Sequence, residues 1–321
     1  MKYLVATIVA TIALTACASS PSGEPTELVL LTHDSFFLSE GTLEAFTDQT
    51  GIPVTVLQAG DAGALVTQAV LTKDNPTADV MFGVDNTLLT RAVDLFVPYE
   101  SPALETVDPT LLADRRLTPI DFGDVCLNYD KAAFTGELGP PTDLADLLDP
   151  AYAGMVVVEN PATSSPGLAF LFATIAEFGE DGWQDYWRAL ISNGVVIAPD
   201  WETAYYSNFT GGGGTGSSIV VSYASSPPAG VIFAEQPLVE APTATLTEGC
   251  FRQVEYAGIL KDSQAARQLI DFMLSLPFQE DIPLSMFVFP AVSDARLPPE
   301  FVEYTEIPTN PLTLDPALID A

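Results

Sequence analysis

Carboxylate, aromatic and hydroxyl side chains recur in this sequence at the points where predicted β-strands end. The loops that follow these strands cover residues 32–36, 83–86, 159–167, 199–201 and 222–227. In an open α/β sheet, ligands bind beyond the carboxyl ends of the strands, so these loops should converge on one cleft. None of the loops contains a lysine or an arginine. The sequence therefore predicts a binding cleft whose polar groups are carboxylates, hydroxyls and the N-termini of helices.

The same residues also have structural interpretations. Asp34 and Asp85 are suited to cap helices, and residues 163–167 begin a helix whatever else they do. Unpaired backbone N–H groups at such a helix start favour an anion or a hydroxyl acceptor. Tyr205 and Tyr206 are adjacent on a predicted helix, so only one of them can face a cleft.

The first third of the chain alternates short apolar segments with amphipathic ones. Strands are predicted over residues 27–32, 52–57 and 78–83, and helices over residues 41–50, 62–72 and 86–94. Gly51 follows the first helix, a position where glycine commonly ends helices. This order is typical of a largely parallel sheet with helical crossovers.

The middle of the chain repeats this order. Strands are predicted over residues 125–129, 155–158, 195–198, 219–223 and 251–260, and helices over residues 167–178, 182–192, 202–209 and 263–275. Two such α/β units with a late return to the first predict a two-lobed clamshell. Lobe 1 would comprise residues 27–122 and 256–321, lobe 2 would comprise residues 123–255, and a two-segment hinge would join them.

The N-terminus has the features of an export signal. A charged start and a short apolar stretch end at Leu-Thr-Ala-Cys17, which resembles a bacterial lipobox. We expect residues 1–16 to be a lipoprotein signal peptide, Cys17 to be lipidated and residues 17–26 to be a tether. The protein would then be anchored to the outer face of the cytoplasmic membrane. A plain signal peptide is the alternative interpretation.

The chain is strongly acidic, with a net charge of −32. Nucleic acids and anionic lipid surfaces bind to basic patches, so the charge excludes both as partners. It does not repel a cationic ligand, and it otherwise provides a solvated acidic surface. Beyond the leader, no stretch of the sequence is apolar enough for a membrane helix.

Histidine and cysteine are scarce. His33 is the single histidine, which argues against most metal sites and most histidine-dependent nucleophilic machinery. In an extracytoplasmic protein, Cys126 and Cys250 are a candidate disulfide, with two buried thiols as the alternative. We predict no metal and no cofactor.

Several motifs occur in an order that resembles the thiamine-binding proteins of bacterial ABC transporters. They are HDSF at residues 33–36, VDNTLL at 84–89, ATSSPGLAFL at 162–171, DWETAYY at 200–206, VVSYASSP at 220–227 and IPLSMFVFP at 282–290. The similarity extends from about Leu28 to Phe301. It implies the α/β, type II periplasmic-binding-protein fold, in which each lobe is a mixed, mostly parallel sheet flanked by helices.

The resemblance implies binding without catalysis. The chain would be the lipid-anchored, monomeric substrate-binding component of an ABC importer, and it would not be an enzyme. It would bind thiamine, or thiamine phosphates, in the cleft between the lobes and deliver it to the permease. Contact of the ligand with both lobes would favour the closed form.

The resemblance also implies roles for individual residues. Asp85, with Asn86 beside it, corresponds to a cleft carboxylate near the amino-bearing ligand. Trp201, Tyr205 and Tyr223 correspond to aromatic residues that line the hydroxyethyl or phosphate end of the ligand.

Further residues correspond to the rest of that site. Ser164, Ser165 and Gly167 match a cradle of hydroxyl and N–H groups. Phe287 stands where the family often has a stacking tryptophan, and His33 stands where a tyrosine is usual. The complete predicted ligand-binding set is His33, Asp34, Ser35, Asp85, Asn86, Ser164, Ser165, Gly167, Trp201, Tyr205, Tyr223 and Phe287.

The chemistry of thiamine agrees with this set. Its thiazolium ring is permanently charged and its pyrimidine carries an amino group, so aromatic faces and a carboxylate suit it. A cleft without basic residues would hold a phosphate ester only through N–H groups and hydroxyls.

Three alternatives remain at this point. A ferric-iron receptor of the same fold could use Tyr205 and Tyr206. A receptor for polyamines or another cationic solute could use the aspartates and aromatic residues. A secreted hydrolase could use Ser164 or Ser222 as a nucleophile, with His33 as its base.

Overall fold

The computed structural model of the chain describes residues 26–314 and 316–319. The predicted signal peptide, the lipidation site Cys17 and the tether up to residue 25 lie outside the described residues. Within the described part of the chain, no helix combines the length and the hydropathy needed to cross a bilayer.

The strands form one mixed sheet that runs through the molecule. They are β1 (Leu28–Thr32), β2 (Val54–Gln58), β3 (Val80–Asp85), β4 (Thr118–Asp130), β5 (Val156–Glu159), β6 (Val196–Ala198), β7 (Ile219–Tyr223), β8 (Thr243–Ile259) and β9 (Phe289–Pro290). Their order is β2-β1-β3-β8-β4-β7-β5-β6, and β9 pairs with β4. The pairs of β1 with β2 and β3 are parallel, as are those of β5 with β6 and β7. Strands β4 and β8 are antiparallel to their neighbours, so the sheet is mixed, as predicted.

Helices cover the sheet and connect its strands. They are α1 (Thr42–Thr50), α2 (Ala62–Leu71), α3 (Leu89–Ala92), α4 (Ser165–Ser192), α5 (Pro227–Ile232), α6 (Gln264–Met273), α7 (Leu276–Gln279), α8 (Ile282–Ser285), α9 (Pro299–Tyr304) and α10 (Pro316–Ile319). A π-helical turn, Thr203–Asn208, replaces the helix predicted over residues 202–209.

Helix α4 takes the place of two helices predicted over residues 167–178 and 182–192. It is interrupted at Gly179, whose φ of 73° and ψ of 169° are not helical. Glycine adopts positive φ readily, so it can bend the chain here. The two predicted segments are therefore the two halves of one kinked element.

Buried apolar side chains form two large clusters that share the long strands β4 and β8. One cluster draws on β1, β3, α2 and α6, and the other on β5, β7 and α4. Ile120 of β4 belongs to the first cluster, whereas Leu127 of the same strand belongs to the second. The paired strands β4 and β8 are thus the structural link between the two cores.

The predicted disulfide is present in this link. Cys126 of β4 is bonded to Cys250 of β8, with 4.4 Å between their Cα atoms. Both side chains are almost fully buried. The disulfide therefore connects two neighbouring strands that both reach from one core to the other.

Removing this disulfide should destabilise the protein. A Cys126→Ala, Cys250→Ala double variant should lose about 2–5 kcal/mol of unfolding free energy, because the bond closes a long loop and restricts the unfolded chain. Urea denaturation followed by circular dichroism measures this loss. The wild-type protein unfolded with a reducing agent should approach the variant, and equal midpoints for oxidised wild type and variant would contradict the prediction.

Candidate ligand-binding site

A cavity of about 490 Å³ opens between the two halves of the sheet. Its walls include His33, Ser35 and Asp61 from the β1 and β2 connections, Trp201 after β6 and Tyr223 at the end of β7. These positions lie at the carboxyl ends of strands, where ligands bind in open α/β sheets. Some of the loops that the sequence predicts to converge therefore contribute side chains to this cavity.

Aromatic rings form one wall of the cavity. Trp201 Nε1 donates a hydrogen bond to Ser222 Oγ at 3.0 Å, and Ser222 Oγ lies 2.8 Å from Ser226 Oγ. The Trp201 ring stacks on Tyr205, with 5.1 Å between centroids and 22° between planes. Because both its edge and one face are held, Trp201 has a defined orientation when a ligand arrives.

Tyr206, and not the predicted Tyr205, lines the cavity. Tyr205 is buried beneath Trp201 and packs against Phe209, whereas Tyr206 is 56 % exposed. The two rings are nearly perpendicular, at 79°. Adjacent residues of a helical turn point in different directions, so only one of these tyrosines faces the cavity.

Phe287 faces the cavity from a strained backbone. Its φ of 57° is the one positive φ among the described residues other than glycine. Such a conformation is costly for a bulky residue and persists where surrounding contacts impose it. Ser225 Oγ donates to the Phe287 carbonyl at 2.6 Å, and Phe233 packs edge-on against the ring at 5.5 Å.

The carboxylates that line the cavity are Asp61, Glu202 and Glu255. No lysine or arginine of the described chain lines it. Burial, together with the negative charges of Asp34, Asp200 and Asp61, raises the pKa of Glu202. The cavity therefore has a negative electrostatic potential.

Asp61 connects the two sides of the cavity. Its Oδ1 caps helix α2 by accepting from Ala62 N, and its Oδ2 accepts from Trp201 N at 3.1 Å. Beside it, Gly63 N donates to Thr163 O at 2.9 Å. A Cβ at Gly63 would lie 2.7 Å from that carbonyl oxygen, so the close approach requires glycine.

Asp85 lies behind the cavity and does not line it. Its side chain is fully buried, and Oδ1 accepts from Thr87 N, Thr87 Oγ1 and Leu88 N at the start of the turn before α3. Burial raises the pKa of Asp85 to about 6, although these donors oppose the shift. Asp85 therefore caps this turn, whereas helix α3 itself begins after Leu88 without a side-chain cap.

Gln253 links Asp85 to the cavity wall. Its Nε2 donates to Asp85 Oδ2 and to Ser165 Oγ, and its Oε1 accepts from the Tyr223 hydroxyl at 3.0 Å. The sequence reasoning missed Gln253 because it lies inside strand β8. Asp85 thus acts on the cavity through the orientation of Tyr223.

The predicted hydroxyl cradle is buried beside the cavity, where Ser164 and Ser165 interact with the carboxylates of Asp61 and Asp85. Ser164, Ser165 and Gly167 are buried and do not line the cavity. A Cβ at Gly167 would lie 2.5 Å from Glu159 O, so glycine here allows α4 to approach β5 closely. Asn86 donates to Arg252 O and accepts from Val254 N, which joins β3 to β8.

Five of the predicted ligand residues line the cavity, namely His33, Ser35, Trp201, Tyr223 and Phe287. Asp34 lies outside its wall. The lining residues outside the predicted set include all three of its acids and one tyrosine, namely Asp61, Glu202, Glu255 and Tyr206. The sequence does point to Asp61, because an aspartate that precedes a predicted helix is a typical N-cap. Glu255 lies within a strand, and the loop rule does not point to it.

Residues 75–310 match the family model described as bacterial extracellular solute-binding protein. The chain belongs to this family. The chain is 28 % identical to the thiamine-binding periplasmic protein of Escherichia coli over 317 residues, which cover 96 % of this chain and 93 % of that relative. This solute-binding protein also matches a solved periplasmic thiamin binding protein with a TM-score of 0.80 and 26 % identity, over 94 % and 93 % of the two chains.

Iron-binding proteins share the same fold. Iron-bound HitA from Pseudomonas aeruginosa matches with a TM-score of 0.69 and 21 % identity, over 92 % of this chain and 95 % of that one. This likeness concerns the fold alone. The type II periplasmic-binding-protein fold predicted from the sequence is confirmed, and so is a binding function in place of catalysis. Ser222 is one of the two candidate nucleophiles of the hydrolase alternative. Its Oγ is engaged in hydrogen bonds with Trp201 and Ser226.

A methyl group at Gly63 should hold this solute-binding protein open. In Gly63→Ala the new Cβ meets the Thr163 carbonyl, while alanine favours helix α2 and so preserves folding. We expect a larger radius of gyration than wild type in small-angle X-ray scattering. Gly136→Ala is the matched control, because nothing lies within 4 Å of its added Cβ. An unchanged radius in Gly63→Ala would show that this contact does not set the closed form.

Proposed function

We propose that the chain is the thiamine receptor of a bacterial ABC importer. The observation that carries the proposal is the composition of the cavity, where aromatic rings and three carboxylates face a space without lysine or arginine among the described residues. A cavity of about 490 Å³ suits a small two-ring ligand. The thiamine-binding relatives of nearly full length support the same ligand.

The ligand's two rings account for the two kinds of wall. Trp201, Tyr206, Tyr223 and Phe287 offer flat faces on which the charged thiazolium and the pyrimidine can stack, each worth roughly 0.5–2 kcal/mol when desolvated. The carboxylates supply the counter-charge and accept hydrogen bonds from the amino group. In this arrangement the cavity-lining acids contact the ligand directly, and Asp85 does not.

The same charges disfavour thiamine phosphates. Asp61 already accepts the Trp201 amide, and Asp200 Oδ1 accepts Thr203 N, so these N–H groups at a helix start are occupied by carboxylates. A phosphate would meet like charges without a basic side chain. Unphosphorylated thiamine is therefore the preferred ligand, and its phosphates bind more weakly.

Ligand capture uses the two lobes predicted from the sequence, residues 27–122 with 256–321 and residues 123–255. Hydrogen bonds from Trp201 N to Asp61 and from Ser225 Oγ to Phe287 O cross from one lobe to the other. A ligand that touches both lobes adds to these contacts and stabilises the closed form. The receptor is a monomer anchored through Cys17 to the outer face of the cytoplasmic membrane, where it delivers thiamine to the permease.

Iron binding is disfavoured by the arrangement of the tyrosines. Tyr205 is buried against Phe209 and does not line the cavity, whereas Tyr206 does. A tyrosine pair that shares one metal needs both hydroxyls at the same place. The aromatic wall is therefore assigned to ring stacking.

Trp201→Ala should weaken thiamine binding by at least about tenfold, because one stacking face is lost. Isothermal titration calorimetry measures the change. Trp183→Ala is the matched control, since Trp183 does not line the cavity and should leave the affinity unchanged. Tight binding of putrescine or ferric ion by the wild type, with none of thiamine, would refute the proposed ligand.

The charge argument predicts a selectivity. Thiamine should bind at least about tenfold more tightly than thiamine monophosphate, because like charges in an interface cost free energy. Glu202→Gln keeps the shape of the side chain and removes its charge. The variant should therefore reduce the ratio of the dissociation constant of thiamine monophosphate to that of thiamine. The two dissociation constants are compared for wild type and variant by calorimetry, and a ratio that stays constant would exclude Glu202 from the selectivity.

A further inference from the structure

Three acidic residues lie side by side across the strands behind the cavity. Glu255 of β8 is the register partner of Asp85 in β3 on one side and of Asp121 in β4 on the other. All three side chains are buried, with exposures of 0 % for the aspartates and 8 % for Glu255. Of the three, Glu255 alone lines the cavity.

Asp85 and Asp121, the two neighbours of Glu255, differ in the groups that interact with their carboxyl oxygens. Asp85 accepts hydrogen bonds from Thr87, Leu88 and Gln253. Asp121 lacks such donors, and its carboxyl group interacts with that of Glu255 through a side-chain hydrogen bond. Burial and the charge of Glu255 hold the pKa of Asp121 well above its usual range, so Asp121 is a neutral acid. Asp121 thereby stabilises the Glu255 carboxylate from one side, and a positive partner stabilises it from the cavity side.

His33 is that partner in the ligand-free protein. Its Nε2 lies 3.4 Å from Glu255 Oε1, and the imidazole lines the same cavity. The ring has little room to move, because a Cβ at Gly83 would lie only 2.3 Å from His33 Cδ2 and the Phe82 ring packs at 5.5 Å. The imidazole is thus held beside a carboxylate that the ligand also needs.

Every charged group that faces His33 is acidic. They are Glu255 from β8, Asp61 at the start of α2, Asp34 in the same loop and Glu202 from across the cavity. Burial lowers the pKa of His33, but the charge of Glu255, with Asp61 and Asp34, outweighs it and raises the pKa above 6.5. The charge of His33 in turn lowers the pKa of Glu255, against the effect of its burial.

We propose that the cationic ligand displaces the charge of His33 from Glu255, so that ligand binding releases the imidazole proton to solvent. This inference rests on the proposed thiamine function and adds a specificity residue to it. With the ligand absent, the imidazolium neutralises Glu255. With the ligand bound, its positive ring takes this role and the neutral imidazole becomes a ring contact. A neutral or anionic ligand has no means of displacing the proton.

The sign of the pH dependence follows. In the ligand-free protein the pKa of His33 is raised, and a bound cation lowers it by repulsion and by taking over Glu255. Between these two pKa values the complex carries fewer protons than the free protein, so affinity rises with pH. The affinity for the ligand becomes independent of pH above the pKa that His33 has in the ligand-free protein. Each unit by which the ligand lowers this pKa corresponds to roughly tenfold in affinity.

His33 is the single histidine of the chain, so its titration can be observed directly. Proton NMR of its Cε1–H in wild-type protein, with and without thiamine, should show a lower pKa in the complex. Calorimetry in two buffers of different ionisation enthalpy should detect proton release near neutral pH. The dissociation constant should be roughly threefold to tenfold larger at pH 6 than at pH 8, which corresponds to about half to one pKa unit.

Two variants assign the effect. His33→Gln should abolish both the proton release and the pH dependence. Asp85→Asn should keep them, although the pKa of Asp85 is about 6 and its titration would act in the same direction. Tight thiamine binding with an unchanged histidine pKa, or a pH dependence that survives in His33→Gln, would overturn this inference and leave the thiamine function intact. Failure of thiamine to bind at any pH would overturn both.

Discussion

The antiparallel pairing of β4 with β8 is the constraint on which the rest of this structure depends. The ladder runs from Thr118 opposite Ala257 to Asp130 opposite Thr243. Both apolar cores include side chains of these strands, and the disulfide joins them. Strand β8 also carries Glu255 to the cavity wall and Gln253 to the hydroxyl of Tyr223 in that wall, so the link between the two cores is also part of the binding site. A change in the relative position of the two cores must therefore act on these polar groups.

Burial of acidic groups is the main electrostatic cost of this arrangement, and the protein meets it in two ways. Asp85 is surrounded by N–H and O–H donors, which stabilise a carboxylate. Asp121 and Glu159 have few such donors, and burial raises the pKa of each well above its usual value, which favours the neutral acid at both positions. The pKa of Glu255 is lowered by the charge of His33 beside it and by a hydrogen bond from Asp121. The negative charge is thereby concentrated at the cavity, where a cation can use it.

The strongest sequence predictions were those that depend on local pattern. Alternating apolar and amphipathic segments predicted an α/β sheet with helical crossovers, the family resemblance implied that the sheet is mixed, and the loop rule brought Trp201, Tyr223 and Ser35 to one cavity. The family resemblance added Phe287. Helix boundaries differ from the prediction at the π-helical turn after Trp201 and at the kink at Gly179.

By itself, the sequence determined the class of fold, the family, the cysteine pair and a cleft without basic residues, because each of these is encoded in residue types and short spacings. Tertiary structure alone decided which acids face the ligand. Asp85 and Glu255 are register partners on neighbouring strands, yet one lies behind the wall and the other lines it. Whether a side chain faces a cavity or a neighbouring strand depends on how strands distant in the chain pair, twist and shift in register. That information is absent from any local stretch of sequence.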